Sequence, residues 1–192
     1  MNIPANILKY GETPAALRRV VVFGTESTGK TTLAGKLAAH FGEPWAPEFV
    51  REYWELRDGK ITAEDLGTIA LGQMANEDHA IARGRRVVFF DTDLITCTLW
   101  DDWLFPGHCP PWVREEAEAR AREVSLWLLC DTDIPWAIDP QRSFPDEANR
   151  ERGRRLWREA LMSRALPFVE IRGDRFTRER AAIVAVERVL AR

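Results

Sequence analysis

Three unbroken apolar runs punctuate the chain: Arg19-Val20-Val21-Val22-Phe23, Arg86-Val87-Val88-Phe89-Phe90-Asp91 and Ser125-Leu126-Trp127-Leu128-Leu129-Cys130-Asp131. Pro167-Phe168-Val169-Glu170-Ile171 makes a fourth, and Glu43 to Phe49, broken by Pro44 and Pro47, reads as a short strand with its exit turn. Runs that do not alternate with polar residues predict strands covered on both faces, which is the habit of parallel sheets. Helical spacing fills the intervals. A helix is predicted from about Lys30 to Phe41. Another, opened by the capping box Thr62-Ala63-Glu64-Asp65, carries Leu66, Ile69, Ala70 and Met74 and ends near Arg83-Gly84. Further helices are predicted over Leu94 to Leu104, Pro110 to Arg122, about Glu147 to Arg164, and about Thr177 to Ala191. Strands alternating with helices give an α/β fold in three layers, a parallel sheet between two helical faces. In such sheets ligands lie beyond the carboxyl ends of the strands, so Gly24, Glu48, Asp91, Asp93 and Asp131 share one rim.

At 192 residues, without repeats or a low-complexity linker, the chain is expected to form one domain. Its 45% hydrophobic and 30% charged residues are ordinary for a globular protein. A formal net charge of −3 argues against a nucleic-acid partner and requires any small anion to be met by a local site. Cys97, Cys109 and Cys130 are odd in number and lack C-x-x-C spacing, which predicts reduced thiols in a cytoplasmic protein. Met1 to Ile7 has no basic n-region, and no apolar run approaches ~18 residues, so neither a leader nor a membrane span is expected. The pattern specifies no oligomeric state.

The residues between the first strand and the first helix change the picture most. Gly24-Thr25-Glu26-Ser27-Thr28-Gly29-Lys30-Thr31 fits G-x-x-x-x-G-K-[ST] at every fixed position, with Thr32 following. Polyphosphate binding requires several backbone N–H groups converging on one point. Gly24 and Gly29 permit that wrap, and the helix N-terminus adds its positive dipole end. Lys30 is placed to reach the β- and γ-phosphates of ATP, and the Thr31 hydroxyl to take a Mg²⁺ position. A glycine-rich turn that binds nothing would not require strand, loop and helix in this order.

The loop alone does not choose among kinases, switch GTPases and ATP-driven machines. A short chain, no N-K-x-D guanine-reading pattern, and Arg142 among Pro135, Pro140 and Pro145 favour a small-molecule kinase with a lid at about 134–148. A solvated loop pairing Arg142 with Asp139 is the alternative. Asp91-Thr92-Asp93 closes a buried strand where P-loop enzymes keep a metal-holding acid. Asp91 is the candidate for Mg²⁺ and catalysis; Asp93 faces the acceptor or caps the next helix. Glu48, Arg51 and Glu52, at E-x-x-R-E spacing, fit one helical face, with Glu48 a proton acceptor or ribose ligand. The proton acceptor is Asp91 or Glu48. Of eight tryptophans, Trp45, Trp54, Trp100, Trp103 and Trp112 fall near the predicted rim, and Trp127 and Trp157 are core. His108-Cys109 has no second ligand pair at zinc spacing.

G-T-E-S-T-G-K-T-T-L-A at 24–34, P-E-F-V-R-E-Y at 47–53, A-L-G-Q at 70–73, F-F-D-T-D at 89–93 and P-W-A-I-D-P-Q-R at 135–142 together resemble the kinase domain of NadR-type nicotinamide riboside kinases. The resemblance runs from about residue 19 to the C-terminus. It implies a single P-loop kinase domain over 1–192, with 1–18 as an N-terminal extension, and transfer of the ATP γ-phosphoryl to the 5′-hydroxyl of nicotinamide riboside. Carried over by motif, Lys30 and Thr31 serve ATP and Mg²⁺, Asp91 and Asp93 the metal and acceptor, Glu48 and Arg51 the riboside, and Arg142 the lid. A pyridinium ring would suit an indole face, Trp45 being one candidate. About 23 residues precede the loop and no H-x-G-H-like motif occurs, so neither adenylyl transfer nor a DNA-binding helix-turn-helix is expected. A kinase for another nucleoside or small alcohol, or a regulatory ATPase module without an acceptor, would share the loop and the lid.

Overall fold

The computed structural model describes residues 17–192, so nearly all of the expected extension at 1–18, and the leader reading at Met1 to Ile7, lie outside the described residues. Arg18–Phe23 forms β1, and Val20 to Phe23 are wholly buried. The chain turns through the phosphate loop into α1 (Lys30–Phe41), then β2 (Trp45–Ala46) and α2 (Phe49–Leu56). Thr62 and Asp65 do form the capping box, Asp65 accepting from the Thr62 backbone N–H at 2.8 Å. It opens a 3₁₀ turn at Ala63–Asp65 that leads into α3 (Leu66–Ile81). There follow β3 (Val87–Asp91), α4 (Leu94–Leu104), α5 (Pro111–Ala121), β4 (Leu126–Cys130), α6 (Glu147–Ser163), β5 (Phe168–Ile171) and α7 (Arg175–Leu190).

All pairings are parallel, in the order β2-β3-β1-β4-β5. The pleat sorts β1 between two cores. Val21 and Phe23 join α3, α4, α5 and α6 on one face, while Val20 and Val22 join α1 and α7 on the other. Trp127 and Trp157 are fully buried, as expected of core residues. The fourth apolar run departs from expectation. Among the described residues β5 is an edge of the sheet, so Val169 is exposed and Ile171 is its one buried residue. Strand order reverses at β1, with β3 on one side and β4 on the other. The carboxyl ends of these strands therefore open a crevice at Gly24 and Asp91. Cys97, Cys109 and Cys130 are free thiols. No helix among the described residues is long and apolar enough to cross a membrane.

Candidate active site

The loop 24–31 is braced on three sides. Gly24 has φ 145°, and a Cβ there would lie 2.8 Å from the Cys130 carbonyl oxygen, so β4 admits no side chain. Gly29, at φ 79°, is the N-cap of α1. Ser27 holds φ 56°, a conformation uncommon outside glycine. Lys30 is buried, its Nζ donating to the Thr25 carbonyl at 2.9 Å, and the Thr28 hydroxyl donates to the same oxygen at 2.8 Å. From α7, the buried Arg178 donates to the carbonyls of Thr28 (3.0 Å), Asp131 (2.9 Å) and Gly173 (2.7 Å). From α6, Gly153 lies so close that a Cβ would stand 2.7 Å from Thr25 Oγ1. Thr31 and Thr32 are exposed in the first turn of α1.

Two clefts meet at this loop. One, of about 310 Å³, is lined by Lys30, Glu48, Arg51 and Thr92 on its polar side and by Trp54, Trp100 and Ile69 on its apolar side. The other, of about 370 Å³, lies over Ser27, Thr28, Gly29 and Thr32, with Arg175 and Arg178 opposite. Arg142 stands in the wall of both. It donates to the Ser27 hydroxyl (3.3 Å) and the Ala137 carbonyl (2.6 Å), and pairs with Asp139 at 3.4 Å. The Glu26 side chain lines the first cleft and turns to the segment after Arg142. Its carboxylate accepts the Ser143 N–H at 2.9 Å and the Phe144 N–H at 2.8 Å. Burial pushes its pKa up against the pull of those two bonds. The lid's far end is anchored by Phe144, stacked on Trp103 with centroids 4.6 Å apart.

Asp91 ends β3 with no exposed surface, and neither carboxylate oxygen has a hydrogen-bond partner. Burial, then the charge of Glu48, pushes its pKa up to about 6, while Lys30, the Thr31 hydroxyl and Arg51 hold it down. A buried, unpaired carboxylate beside a lysine and a helix-terminal threonine hydroxyl suits a divalent cation that takes its other ligands from phosphate and water. Among the described residues no cluster of three or more His, Cys, Asp and Glu could serve as an all-protein metal cage. Glu48 is the N-cap residue of α2 without making a side-chain cap bond. Its Oε2 accepts from Arg51 Nε at 3.1 Å, and Arg51 Nη1 lies 3.6 Å from Asp139 on the lid. Glu52, the third member of that motif, is exposed outside the cleft.

Two expected acceptor residues are placed elsewhere. Asp93 caps α4, accepting from the Thr96 N–H at 3.3 Å and Trp127 Nε1 at 3.4 Å, and burial pushes its pKa up to about 6. Thr92, at φ 68°, turns the chain between the two aspartates and sends their carboxylates to different environments. Trp45 lies against α1 on the opposite face of the sheet, 3.9 Å from where a Gly35 Cβ would be, and belongs to that core. Among the rim tryptophans Trp54 and Trp100 line the cleft. Trp103 stands behind Trp100, with ring centroids 5.7 Å apart. Gln73, Thr92, Gly153 and Arg178 were not singled out by sequence reasoning. A-L-G-Q and D-T-D flagged the first two as motif members, and nothing local marked the others.

Residues 19–178 match the family model described as an AAA domain. The trifunctional NAD biosynthesis/regulator protein NadR of Salmonella typhimurium is 30% identical over 163 residues, covering 83% of this chain and 39% of that protein. NadR protein in complex with NAD and AMP-PNP superposes with a TM-score of 0.69 at 25% identity, over 92% of this chain and 50% of that one. NadR protein in complex with NR gives 0.69 at 26% identity, over 92% and 52%. The chain thus spans about two fifths of the curated relative and half of the solved ones.

Proposed function

The chain belongs to the AAA domain family, and from that premise we propose that it is an ATP-dependent kinase transferring the γ-phosphoryl group to the 5′-hydroxyl of nicotinamide riboside, giving nicotinamide mononucleotide. The observation that carries this reading is Arg142 in the wall of both clefts, with Lys30 in the wall of the first. A hydrolase needs one ligand cleft; two clefts meeting at a phosphate loop suit a donor and an acceptor. The acceptor identity is supported by the similarity to NadR, solved with NR and with NAD and AMP-PNP.

ATP occupies the cleft over Ser27, Thr28, Gly29 and Thr32, its phosphates against the loop and Lys30. The riboside occupies the other cleft, sugar towards Glu48 and Arg51, ring between the apolar walls at Trp54 and Trp100. Glu48 faces that cleft and accepts the proton of the 5′-hydroxyl. That oxygen forms a bond to the γ-phosphorus as the bond to the β–γ bridging oxygen breaks. Lys30 and Arg142 meet the charge spread over the transferring oxygens. Thr31 and Asp91 would hold Mg²⁺. When bound, it neutralises phosphate charge. The enzyme's contribution is positioning and charge stabilisation in a site closed by the lid.

The test is ADP release from Mg·ATP with nicotinamide riboside, adenosine, cytidine or thymidine. Stimulation by nicotinamide riboside alone is the expected result. Stimulation by another nucleoside would keep the kinase and replace the acceptor. ATP binding without stimulation by any of them would favour a regulatory module.

A further inference from the structure

Through Gln73, in the wall of the acceptor cleft, a line of polar side chains runs from α2 across α3 to α5. Phe49, the first residue of α2, donates its backbone N–H to Gln73 Oε1 at 3.0 Å. Gln73 Nε2 donates to Glu77 Oε1 at 3.2 Å, and Glu77 Oε2 accepts from Arg120 Nη1 at 3.1 Å. Arg120 also forks onto Asp78, at 2.8 and 3.1 Å. Gln73 is 2% exposed and Glu77 3%. The first N–H groups of a helix have no partner inside the helix. For α2 one of them finds its acceptor on a different helix, which leaves the Glu48 carboxylate free of capping and directed at Arg51. The neighbouring Gly72 completes the clamp. A Cβ there would lie 2.2 Å from Phe49 Cε1, so the Phe49 ring rests directly on the α3 backbone. The helix so held has no fully buried residue of its own, and Asn76, also on α3, donates to the Pro47 carbonyl just ahead of it at 3.1 Å.

We propose that Gln73 is a positioning residue for the acceptor, holding the N-terminus of α2 where Glu48 and Arg51 reach the cleft, with Glu77 and Arg120 fixing the orientation of its amide. The proposal rests on the kinase reading above. Orientation is the decisive point. A flipped Gln73 amide would set its NH₂ against the Phe49 N–H, and its oxygen against Glu77 wherever that carboxylate is ionised, in a buried site. An acid that never touches substrate therefore decides which way Gln73 points, and Gln73 decides where Glu48 and Arg51 stand.

Exchanging the two side chains tests this. Gln73→Glu sets two carboxylates face to face and removes the donor that Glu77 accepts, while keeping the side-chain length. The double variant Gln73→Glu/Glu77→Gln restores a complete set of partners. The carboxylate at 73 accepts from Phe49 and from the new amide at 77, whose oxygen accepts from Arg120. Gln73→Glu is expected to lower kcat/KM for nicotinamide riboside about tenfold to hundredfold, more than it lowers kcat/KM for Mg·ATP. The double variant is expected to recover to within about threefold of wild type. A Gln73→Glu enzyme with a lowered melting temperature but unchanged kcat/KM per folded molecule would overturn the proposal. So would a double variant no better than the single one. The wild-type arm separates this from the acceptor reading. If it answers to another nucleoside, that reading falls and the clamp is scored with that nucleoside on the same three proteins. If it answers to none, both fall.

Discussion

Arg142 donates to the Ser27 hydroxyl at 3.3 Å across 115 positions of sequence, joining the lid to the phosphate loop at the junction of the two clefts. The Ala137 N–H reaches the same hydroxyl at 3.1 Å. Two lid groups thus converge on a loop residue held at positive φ, and lid position and loop shape are coupled through one oxygen.

Arg142→Ala should therefore act on the chemical step. Loss of a single preorganised donor to a developing oxyanion lowers kcat by about 10²–10³-fold. The KM for ATP should change much less, since Lys30 and the loop remain. Steady-state kinetics with both substrates varied checks this. A variant that loses ATP affinity while keeping kcat would remove Arg142 from the transferring phosphate.

Gly153→Ala probes the brace from α6. The added methyl would meet Thr25 Oγ1, Cβ and Cγ2 at 2.7, 3.0 and 3.2 Å. Thr25 supplies the carbonyl that Lys30 and Thr28 share, so it cannot move without moving the loop. Overpacking of this kind costs about 1–3 kcal/mol. Part of that should surface as a raised KM for ATP, and part as a lowered melting temperature. A lower melting temperature with an unchanged KM would make the contact structural alone.

The same residues explain how far the sequence carries. β1, the loop and α1 are contiguous, so glycine, lysine and threonine at fixed spacing encode their own geometry, and Lys30 could be read directly. The irregular segment around Arg142 could be read from proline spacing, since three prolines there prevent regular structure. Asp93 could not be separated from Asp91, because the turn that parts them is a positive φ at Thr92, a β-branched residue that gives no hint of it. Trp45 and Trp54 are the same residue type on one rim. Only the sheet, by setting β2 against α1, puts Trp45 on the far face. Gln73 and Gly153 act through partners 24 and 128 positions away, and such pairings are fixed by packing, not by local pattern.

Thr96 and Thr98 offer a matched pair on α4. The Thr98 hydroxyl donates to the Ile95 carbonyl at 2.8 Å, whereas the buried Thr96 hydroxyl has no partner. An unpaired buried polar group is destabilising by about 1–3 kcal/mol, while a made bond contributes about 1 kcal/mol. The near-isosteric Thr96→Val should therefore raise the melting temperature of the ligand-free protein by roughly 2–10 °C, and Thr98→Val should lower it by roughly 2–4 °C. Differential scanning calorimetry on the two variants gives the signs directly. Equal shifts in one direction would mean that the Thr96 hydroxyl has a partner in solution.

Glu77 predicts how stability depends on pH. Burial, then the charge of Asp93, pushes its pKa up to about 7 from 4.5, against the pull of Arg120 and Gln73. Between those values the native protein holds a proton that the unfolded chain has released. Stability is therefore full below about pH 4.5 and falls as pH rises to about 7, by roughly 3 kcal/mol for this group. Asp91 and Asp93 slope the same way, each half titrated near pH 6 and level about one pH unit higher. The difference between wild type and a variant that cannot titrate at 77 therefore isolates Glu77. Glu77→Gln removes the titration but keeps a single acceptor oxygen for Gln73 and Arg120, so its baseline stability falls and only the pH slopes of the two proteins are compared. Wild type should lose more melting temperature from pH 6 to 7.5 than Glu77→Gln does. Parallel curves for the two proteins over that interval would mean that Arg120 keeps Glu77 ionised throughout.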